Sequence, residues 1–161
     1  MSVKIIDNFL PEEQFKKIKD IMMGDMFQWY YINGVLHNDP KSTQFQFIHV
    51  FFDRLPRENY FILDDLIKKI NPFSIVRIKS NLLTKTNKKI IFPYHTDFKK
   101  SNLITGIYYL NTNNGKTLFK NGEEVESIEN RYIYFDSKLT HTGTTCTNKN
   151  TRVLINFNYY D

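Results

Sequence analysis

The chain has 161 residues, of which 41% are hydrophobic and 24% charged, and its formal net charge is +5 at pH 7. This length is typical of one domain, so we expect residues 1–161 to form a single domain. The composition excludes a disordered chain and a membrane-embedded one. The lone Cys146 excludes an internal disulfide framework and a cysteine zinc site.

The positive charge is spread along the whole sequence. Most basic residues are lysines in short pairs, and no run of about five or six like charges occurs. This dispersal is typical of a solvated surface, so binding to nucleic acid is disfavoured but stays open. Acidic residues occupy the N-terminal positions where a secretory signal peptide has its apolar stretch. No window approaches about 18 uncharged apolar residues, and we therefore expect a cytoplasmic protein without membrane contact.

The first half of the chain predicts two helices. One begins after Pro11 and ends near Met22, because acidic residues stand at its start and apolar residues recur at helical spacing. A second apolar stripe predicts a helix from about residue 58 to residue 70, where Asn71 and Pro72 end it. Both helices are expected to cover one face of a sheet.

Short runs rich in β-branched and aromatic residues predict strands separated by turn residues. The predicted strands are residues 27–32, 44–52, 74–83, 90–96, 103–110, 116–120, 123–127, 131–135 and 152–159. Polar residues 33–43 predict a loop between the first two strands. The dipeptide Asn121-Gly122 predicts a type I′ hairpin turn with two positive φ angles. Helices followed by many short strands predict a mainly β fold with flanking N-terminal helices, built as an antiparallel sandwich or barrel.

Four histidines are candidates for chemistry, and their sequence context separates them: His37, His49, His95 and His141. Taken singly, each is more often a packed or exposed side chain than a metal ligand. His95 and Asp97 would project from the same face of a strand, although this short pattern is weak by itself. In a two-sheet fold, His141 can return beside them. Two histidines and one carboxylate form a facial triad, which holds Fe(II) and leaves adjacent positions open.

Arg152 is the only arginine of the last predicted strand. Strand alternation places it on one face with Leu154, Asn156 and Asn158. A charged side chain in this setting calls for an anionic partner, and a planar guanidinium binds a carboxylate through two hydrogen bonds. The strand therefore offers a carboxylate-binding residue.

These motifs together resemble the Fe(II)- and 2-oxoglutarate-dependent dioxygenases, specifically their compact prolyl-4-hydroxylase-like branch. The likeness covers most of the chain, and the segments that carry it follow the family's order and spacing: Ile5-Ile6-Asp7-Asn8-Phe9-Leu10, Val76-Arg77-Ile78, His95-Thr96-Asp97, Ile107-Tyr108-Tyr109-Leu110-Asn111, Gly115-Lys116-Thr117-Leu118-Phe119, Tyr134-Phe135-Asp136-Ser137, His141-Thr142-Gly143 and Thr151-Arg152-Val153. The resemblance implies a double-stranded β-helix of the jelly-roll or cupin type. The chain is also similar to small oxygenase-like proteins of tailed phages, which would place it in a host cytoplasm.

The resemblance also implies roles for individual residues. The implied iron ligands are His95, Asp97 and His141. Arg152 would bind the distal carboxylate of 2-oxoglutarate, and the Tyr109 hydroxyl would donate a hydrogen bond to the same carboxylate. The alternative for Tyr109, with equal weight, is an ordinary aromatic residue of the core. Asn81 stands where relatives often carry a tyrosine that contacts the cosubstrate.

Two further expectations concern the surroundings of this site. Gly115-Lys116 departs from the Gly-Gly that is common in the family, a change expected to alter a loop without touching a ligand. A metal-binding imidazole needs a partner for its second ring nitrogen, and the expected partners are Thr96, Thr140 and Thr142.

The implied reaction is hydroxylation of an organic substrate with Fe(II), 2-oxoglutarate and O2, releasing succinate and CO2, with ascorbate as a candidate reductant. The expected substrate is a peptide or small molecule, with a peptidyl proline first. It would enter under segment 33–43, beside Trp29, Tyr30 and Tyr31. The alternative for these aromatic residues is packing in the core, which we favour for at least one of the three. Two alternatives stay open: a nucleic-acid oxidative demethylase of the same superfamily, and a non-catalytic jelly-roll that serves binding or structure. The oligomeric state is left open.

Overall fold

The computed structural model describes residues 2–35, 44–99 and 102–161. The helices are α1 (Glu12–Met22), a 3-10 helix (Tyr60–Leu63) and α2 (Asp64–Ile70). The strands are β1 (Lys4–Ile6), β2 (Tyr30–Asn33), β3 (Phe45–Asp53), β4 (Leu55–Pro56), β5 (Ser74–Thr84), β6 (Leu103–Tyr109), β7 (Lys116–Phe119), β8 (Glu124–Glu126), β9 (Arg131–Asp136), β10 (His141–Gly143) and β11 (Thr151–Tyr160).

The strands form two antiparallel sheets. The larger sheet has the order β1-β9-β6-β11-β5-β3-β2, with β4 paired to β3, and the smaller sheet has the order β10-β7-β8. Arg152 of β11 donates a hydrogen bond to Thr117 of β7, so the two sheets face each other. The predicted class, a mainly β jelly-roll with flanking N-terminal helices, is confirmed.

Side-chain alternation along β11 separates the two faces of the larger sheet. Val153 and Ile155 belong to the apolar core that also contains Phe15 of α1. Leu154, which points the other way, belongs to a second core together with Phe119 of β7. The polar residues of β11 therefore face the space between the two sheets.

Asn130 fastens the start of α1 to the larger sheet. Its side-chain oxygen accepts hydrogen bonds from the Leu10 amide at 2.9 Å and the Tyr108 hydroxyl at 2.7 Å. Its side-chain nitrogen donates to the Leu10 carbonyl at 2.8 Å. The residue is buried, with a φ of 58°, a left-handed conformation that asparagine tolerates better than most residues.

The prediction of a strand at residues 90–96 is wrong. This segment makes only isolated bridges, from Ile91 to Thr144 and from His95 to His141. Pro93 lies between them and has no amide hydrogen to donate, so a continuous ladder is interrupted there. The partners of these bridges, His141 and Thr144, lie in strand β10 and directly after it. This strand has only three residues, which is too short a pattern to predict.

The second helix and the Asn121-Gly122 hairpin also differ from expectation. The second helix begins as a 3-10 helix at Tyr60 and becomes α-helical at Asp64. The hairpin around Asn121-Gly122 forms, but with a single positive φ, 92° at Gly122, instead of two. The Gly122 amide donates to the Phe119 carbonyl at 3.0 Å, and the Phe119 amide donates to Glu123 at 2.9 Å. This is a three-residue loop with glycine in its left-handed position, and the predicted type I′ turn is wrong.

Candidate active site

A cleft opens between the two sheets, with about 610 Å³ of empty space that is partly open to solvent. Its floor is the inner face of β11 and β5, and its opposite wall is β7 and β10 with the segment before β6. Because both sheets contribute alternate residues, side chains distant in sequence meet here. The predicted residues His95, Asp97, His141, Arg152 and Asn81 all line this cleft.

His95, Asp97 and His141 converge at one point of the cleft. One ligand atom from each lies within 4.8 Å of the others, a spacing that could hold a metal ion. The imidazole centroids of the two histidines are 4.7 Å apart. The two backbones are joined directly, since the amides of His95 and His141 each donate to the other's carbonyl at 2.9 Å.

Each imidazole of this triad is held by a backbone carbonyl two residues before it. His141 Nδ1 lies 2.9 Å from the Leu139 carbonyl, and His95 Nδ1 lies 3.3 Å from the Pro93 carbonyl. A carbonyl oxygen only accepts, so these contacts place the proton on Nδ1 and leave the Nε2 lone pair free for a metal.

The expectation that threonines orient the imidazoles is wrong. Thr142 donates its hydroxyl hydrogen bond to the Phe92 carbonyl at 2.8 Å, and thereby holds the segment before His95. The carbonyl partners of the histidines belong to the turns that precede them, a feature that no side-chain pattern reports. Burial, followed by the charge of His141, lowers the pKa of His95, which favours the neutral form that binds metal.

Asp97 is fixed by two residues that sequence reasoning missed. Its Oδ2 accepts hydrogen bonds from the Thr105 hydroxyl at 2.9 Å and from the Asn158 amide at 3.0 Å. Its Oδ1 lies 3.8 Å from both His95 Nε2 and Arg77 Nη2. Burial alone raises the pKa of this carboxyl, but His141, the two hydrogen bonds and Arg77 together lower it below its ordinary value. The carboxylate is therefore ionised, with one oxygen left for a ligand.

Arg152 lies elsewhere in the same cleft and is 1% exposed. Its Nε donates to the Ser127 hydroxyl at 2.7 Å, and its Nη2 donates to the Thr117 hydroxyl at 3.2 Å. No salt bridge among the described residues involves this guanidinium. A buried charge held only by hydroxyl groups favours an anionic ligand.

Gly115 and Gly143 leave room for this arginine. A Cβ built at Gly115 would lie 2.5 Å from Arg152 Cδ, and one at Gly143 would lie 3.2 Å from Arg152 Nη1. A side chain at Gly115 would thus clash with the arginine, and also with Asn113 Oδ1, which lies 2.8 Å from the same Cβ position. Sequence reasoning identified Gly115 only as a loop residue.

Tyr109 is fully buried beside Arg152, whose Cζ lies 5.8 Å from the centre of the tyrosine ring. Its hydroxyl lies 2.7 Å from the Thr117 hydroxyl, which Arg152 also contacts. The structure thus brings Tyr109 and Arg152 together, and the contact of the Tyr109 hydroxyl with a cosubstrate stays a prediction.

The residues predicted at the entrance divide into two groups. Trp29 is partly buried and packs against the core, whereas Tyr30 and Tyr31 are 53% and 58% exposed. Of the predicted loop 33–43, residues 36–43 lie outside the described residues. Val35, which precedes them, lines the cleft.

The residues fit the cofactors that the resemblance implies. Two imidazole nitrogens and one carboxylate oxygen are a donor set that suits Fe(II). The buried guanidinium of Arg152, which has no carboxylate partner among the residues described, suits one end of a diacid such as 2-oxoglutarate.

Comparisons with solved structures bear on the fold. A 2OG-Fe(II) oxygenase family protein from Burkholderia pseudomallei matches with a TM-score of 0.66 at 10% identity, over 98% of this chain and 84% of that one. A viral collagen prolyl hydroxylase from Paramecium Bursaria Chlorella virus-1 matches with a TM-score of 0.61 at 12% identity, over 100% and 91% of the two chains.

A prolyl hydroxylase from Trichoplax adhaerens, solved with a hypoxia inducible factor peptide fragment, matches with a TM-score of 0.62 at 16% identity, over 99% of this chain and 83% of that one. No protein-family model matches the chain, and no curated protein matches it. At these identities the likeness is one of fold. The fold of this chain is that of the 2OG-Fe(II) oxygenases and prolyl hydroxylases.

Proposed function

We propose that this protein is an Fe(II)- and 2-oxoglutarate-dependent dioxygenase that hydroxylates an organic substrate and releases succinate and CO2. The observation that carries the proposal is the convergence of His95, Asp97 and His141 in a cleft that also contains the buried Arg152, which has no carboxylate partner among the described residues. A single diacid ligand explains both features, because one end of it would bind the metal and the other end would bind the arginine.

Each side chain has a defined task in this proposal. His95 and His141 bind the metal through Nε2, and Asp97 binds through the oxygen that Thr105 and Asn158 leave free. Iron and 2-oxoglutarate supply, when bound, the oxidising chemistry that amino-acid side chains lack.

Arg152 would hold the distal carboxylate of the cosubstrate, already oriented by its two hydroxyl partners. Apolar side chains of Leu83, Ile107 and Leu154 line the same cleft as Arg152 and the triad. They would shield part of the bound cosubstrate from water, which strengthens its electrostatic contacts.

For the substrate, we propose a peptidyl side chain, proline first. The fold is shared with two prolyl hydroxylases, one of them solved with a peptide, and Tyr30 and Tyr31, which precede the predicted entrance segment, are exposed. Lysine pairs without a concentrated basic stripe give no support to the demethylase alternative. In a non-catalytic binding or structural module, the buried charge of Arg152 would lower the stability of the fold without serving a cosubstrate. This alternative is therefore not favoured.

No helix in the described part of the chain is long and apolar enough to span a membrane. A cytoplasmic location, a single domain over residues 1–161 and a phage origin stay predictions.

Turnover without substrate tests the chemistry. Purified protein supplied with Fe(II), ascorbate, O2 and 2-oxoglutarate is expected to form succinate, and His141→Ala is expected to form none above background. Proline-containing peptides are expected to raise the rate. Absence of succinate from wild type, together with no affinity for 2-oxoglutarate, would refute the enzyme proposal.

Single-stranded DNA and RNA test the substrate class. Nucleic-acid affinity through phosphates falls steeply with salt, whereas peptide binding does not. Tight, salt-sensitive binding, without any stimulation by proline peptides, would replace the peptide proposal by the demethylase alternative.

A further inference from the structure

Lys79 lies in the cleft, close to the metal-binding triad. It stands on β5 directly opposite Asn156 of β11, and it lines the cleft together with Asn81. Residues directly opposite on antiparallel strands have Cβ atoms about 4.5–5.5 Å apart, and residues two apart on a strand share a face. Lys79, Asn81 and Asn156 therefore form one polar cluster on the cleft floor.

Lys79 has no carboxylate partner among the residues that the structure describes. Burial and, to a smaller extent, the charge of Arg77 lower the pKa of Lys79 to about 8, against the opposing effect of Asp97. The Asp97 carboxylate is already held by Thr105, Asn158 and Arg77. At neutral pH the Lys79 side chain is thus a partly desolvated cation that faces the open cleft.

The two asparagines have the complementary requirement. Asn81 Oδ1 and Asn156 Oδ1 are buried, and neither accepts a hydrogen bond from a described residue. A buried amide oxygen without a donor costs free energy, so such atoms are normally paired. An N–H group of a ligand would satisfy them, whereas 2-oxoglutarate, a dianion of acceptors only, would not.

The net charge of the site with Fe(II) and 2-oxoglutarate bound also bears on the ligand, and this step rests on the proposed function. The charges of Fe(II) and Arg152 are balanced by the Asp97 carboxylate and the two carboxylates of 2-oxoglutarate. Arg77 shares the Asp97 carboxylate with the metal, so Lys79 adds a positive charge that nothing in this count balances. A further ligand in this cleft is expected to carry negative charge.

We propose that the substrate is an amino acid or peptide that presents a carboxylate to Lys79 and N–H groups to Asn81 and Asn156. Arg77, held by Asn158 and Asp97, adds positive potential behind Lys79. The carboxylate has two possible sources: the α-carboxylate of a free amino acid, or an acidic side chain beside the reacting residue of a peptide. In both cases Lys79 selects the substrate and takes no part in cosubstrate binding.

Matched pairs of ligands test this inference. The probes are L-proline with L-prolinamide, and the blocked peptide Gly-Pro-Asp-Gly with its Gly-Pro-Asn-Gly counterpart, so each pair differs only in a carboxylate. Dissociation constants are measured by saturation-transfer NMR on the Zn(II)-loaded protein, with and without 2-oxoglutarate. The variants are Lys79→Met, Lys79→Arg and, as a control of net charge, Lys68→Met on the exposed surface of α2.

Wild type is expected to bind the acid of at least one pair about tenfold or more tightly than its neutral partner, because a desolvated ammonium–carboxylate hydrogen bond is charge-assisted. Lys79→Met is expected to lose this preference, Lys79→Arg to keep part of it, and Lys68→Met to keep all of it. The pair that responds identifies the source of the carboxylate.

Equal binding of acid and neutral ligand to wild type, in both pairs, would overturn the inference. So would an unchanged preference in Lys79→Met, or a parallel loss of 2-oxoglutarate affinity in that variant, which would make Lys79 a cosubstrate residue. Failure of 2-oxoglutarate to bind wild type would instead refute the proposed function, since the acid–amide comparison is also made without it. Thermal unfolding provides a further readout: without an internal partner for its charge, Lys79→Met is expected to melt at the same temperature as wild type or higher.

Discussion

Arg152 is among the largest fully buried side chains in the described part of the chain. Burial lowers the pKa of its guanidinium, and Tyr109 acts on that pKa in the opposite direction. Its hydroxyl partners orient the group without neutralising it. The folded protein therefore carries an electrostatic cost at this position, which a bound carboxylate would relieve.

Replacement of Arg152 by Ala is expected to abolish 2-oxoglutarate binding while metal binding persists. Loss of one partner of a buried charge pair costs about 2–5 kcal/mol, which weakens affinity by tens to thousands of times. Calorimetric titration of 2-oxoglutarate into the Mn(II) form measures this, with Arg152→Lys as the variant that retains charge. An unchanged dissociation constant in Arg152→Ala would remove this residue from the cosubstrate site.

Gly115→Ala is expected to displace the side chain of Arg152 while the arginine itself stays in the sequence. The new Cβ would lie 2.5 Å from Arg152 Cδ, a distance at which the arginine has to move. We expect 2-oxoglutarate affinity to fall by about tenfold or more, because a fork that is misplaced by even a small shift loses one of its two hydrogen bonds.

Gly143→Ala is the graded control, since its Cβ would lie 3.2 Å from the more mobile end of the same side chain. Its effect on affinity is expected to be smaller. The reverse order, with Gly143→Ala the more damaging, would show that contact with Arg152 is not what excludes a side chain at Gly115.

At the scale of elements, the jelly-roll depends on long strands whose side chains alternate between the two faces of the sheet, with register shifts at Asn158/Tyr159 of β11 and Val50/Phe52 of β3. Along β11, residues of one parity enter the core beneath the helices and residues of the other parity enter the cleft. The segment just before α1 is joined to this sheet by Asn130, and Pro11, at the N-cap of the helix, makes no side-chain capping hydrogen bond.

Asn130→Ala is expected to lower the free energy of unfolding by roughly 2–4 kcal/mol, because it leaves the Leu10 amide and the Tyr108 hydroxyl unpaired in the interior and strains a left-handed backbone. Urea denaturation measures the change. Asn130→Gly separates the two causes, since glycine tolerates the φ of 58° but restores no hydrogen bond. Equal stability of Asn130→Ala and wild type would show that Asn130 does not hold the segment before α1 on the larger sheet.

Long strands such as β5, β6 and β11 were predictable from the sequence because runs of β-branched and aromatic residues, bounded by turn residues, mark them. The segment 90–96 was not, since Pro93 breaks its ladder and only tertiary bridges to β10 define its path. The triad and Arg152 were found through motif order. Thr105 and Asn158, which hold Asp97, come from separate strands and carry no local signal. Lys79 looked like an ordinary surface lysine because burial against the facing sheet is invisible in one dimension.

At the scale of the whole molecule, the N-terminal strand is joined to β9 by an ion pair between distant parts of the chain. Arg131 Nε donates to Asp7 Oδ1 at 2.6 Å, and Arg131 Nη2 donates to Asp7 Oδ2 at 3.0 Å. The hydrogen bond from Arg131, reinforced by its charge and opposed by partial burial, lowers the pKa of Asp7 below 3.8.

This lowered pKa gives the stability of the folded chain a pH dependence. A carboxyl with a depressed pKa in the folded state stabilises that state above its unfolded value, 3.8, and loses this effect as the pH falls through the folded value. Asp7→Asn is therefore expected to unfold at a lower temperature than wild type at pH 7, with the difference vanishing in strong acid.

Asp20→Asn is the matched control, because the Asp20 pair with Lys16 is exposed and lies within one helix. Such pairs contribute little to stability. A constant difference between Asp7→Asn and wild type from pH 7 down to pH 2 would exclude the ion pair as its cause.

The paired backbone of His95 and His141 has a consequence for the exchange of amide hydrogens with solvent. Each amide donates to the other residue's carbonyl, so both protons are released by one opening event that separates segment 90–97 from β10. The two amides are therefore expected to exchange at the same rate, and a divalent metal bound by both imidazoles would slow them together, since opening would then require release of the metal. Mass-spectrometric exchange with and without Mn(II) resolves this, and independent rates at the two positions would mean that segment 90–97 and β10 do not separate there as a unit.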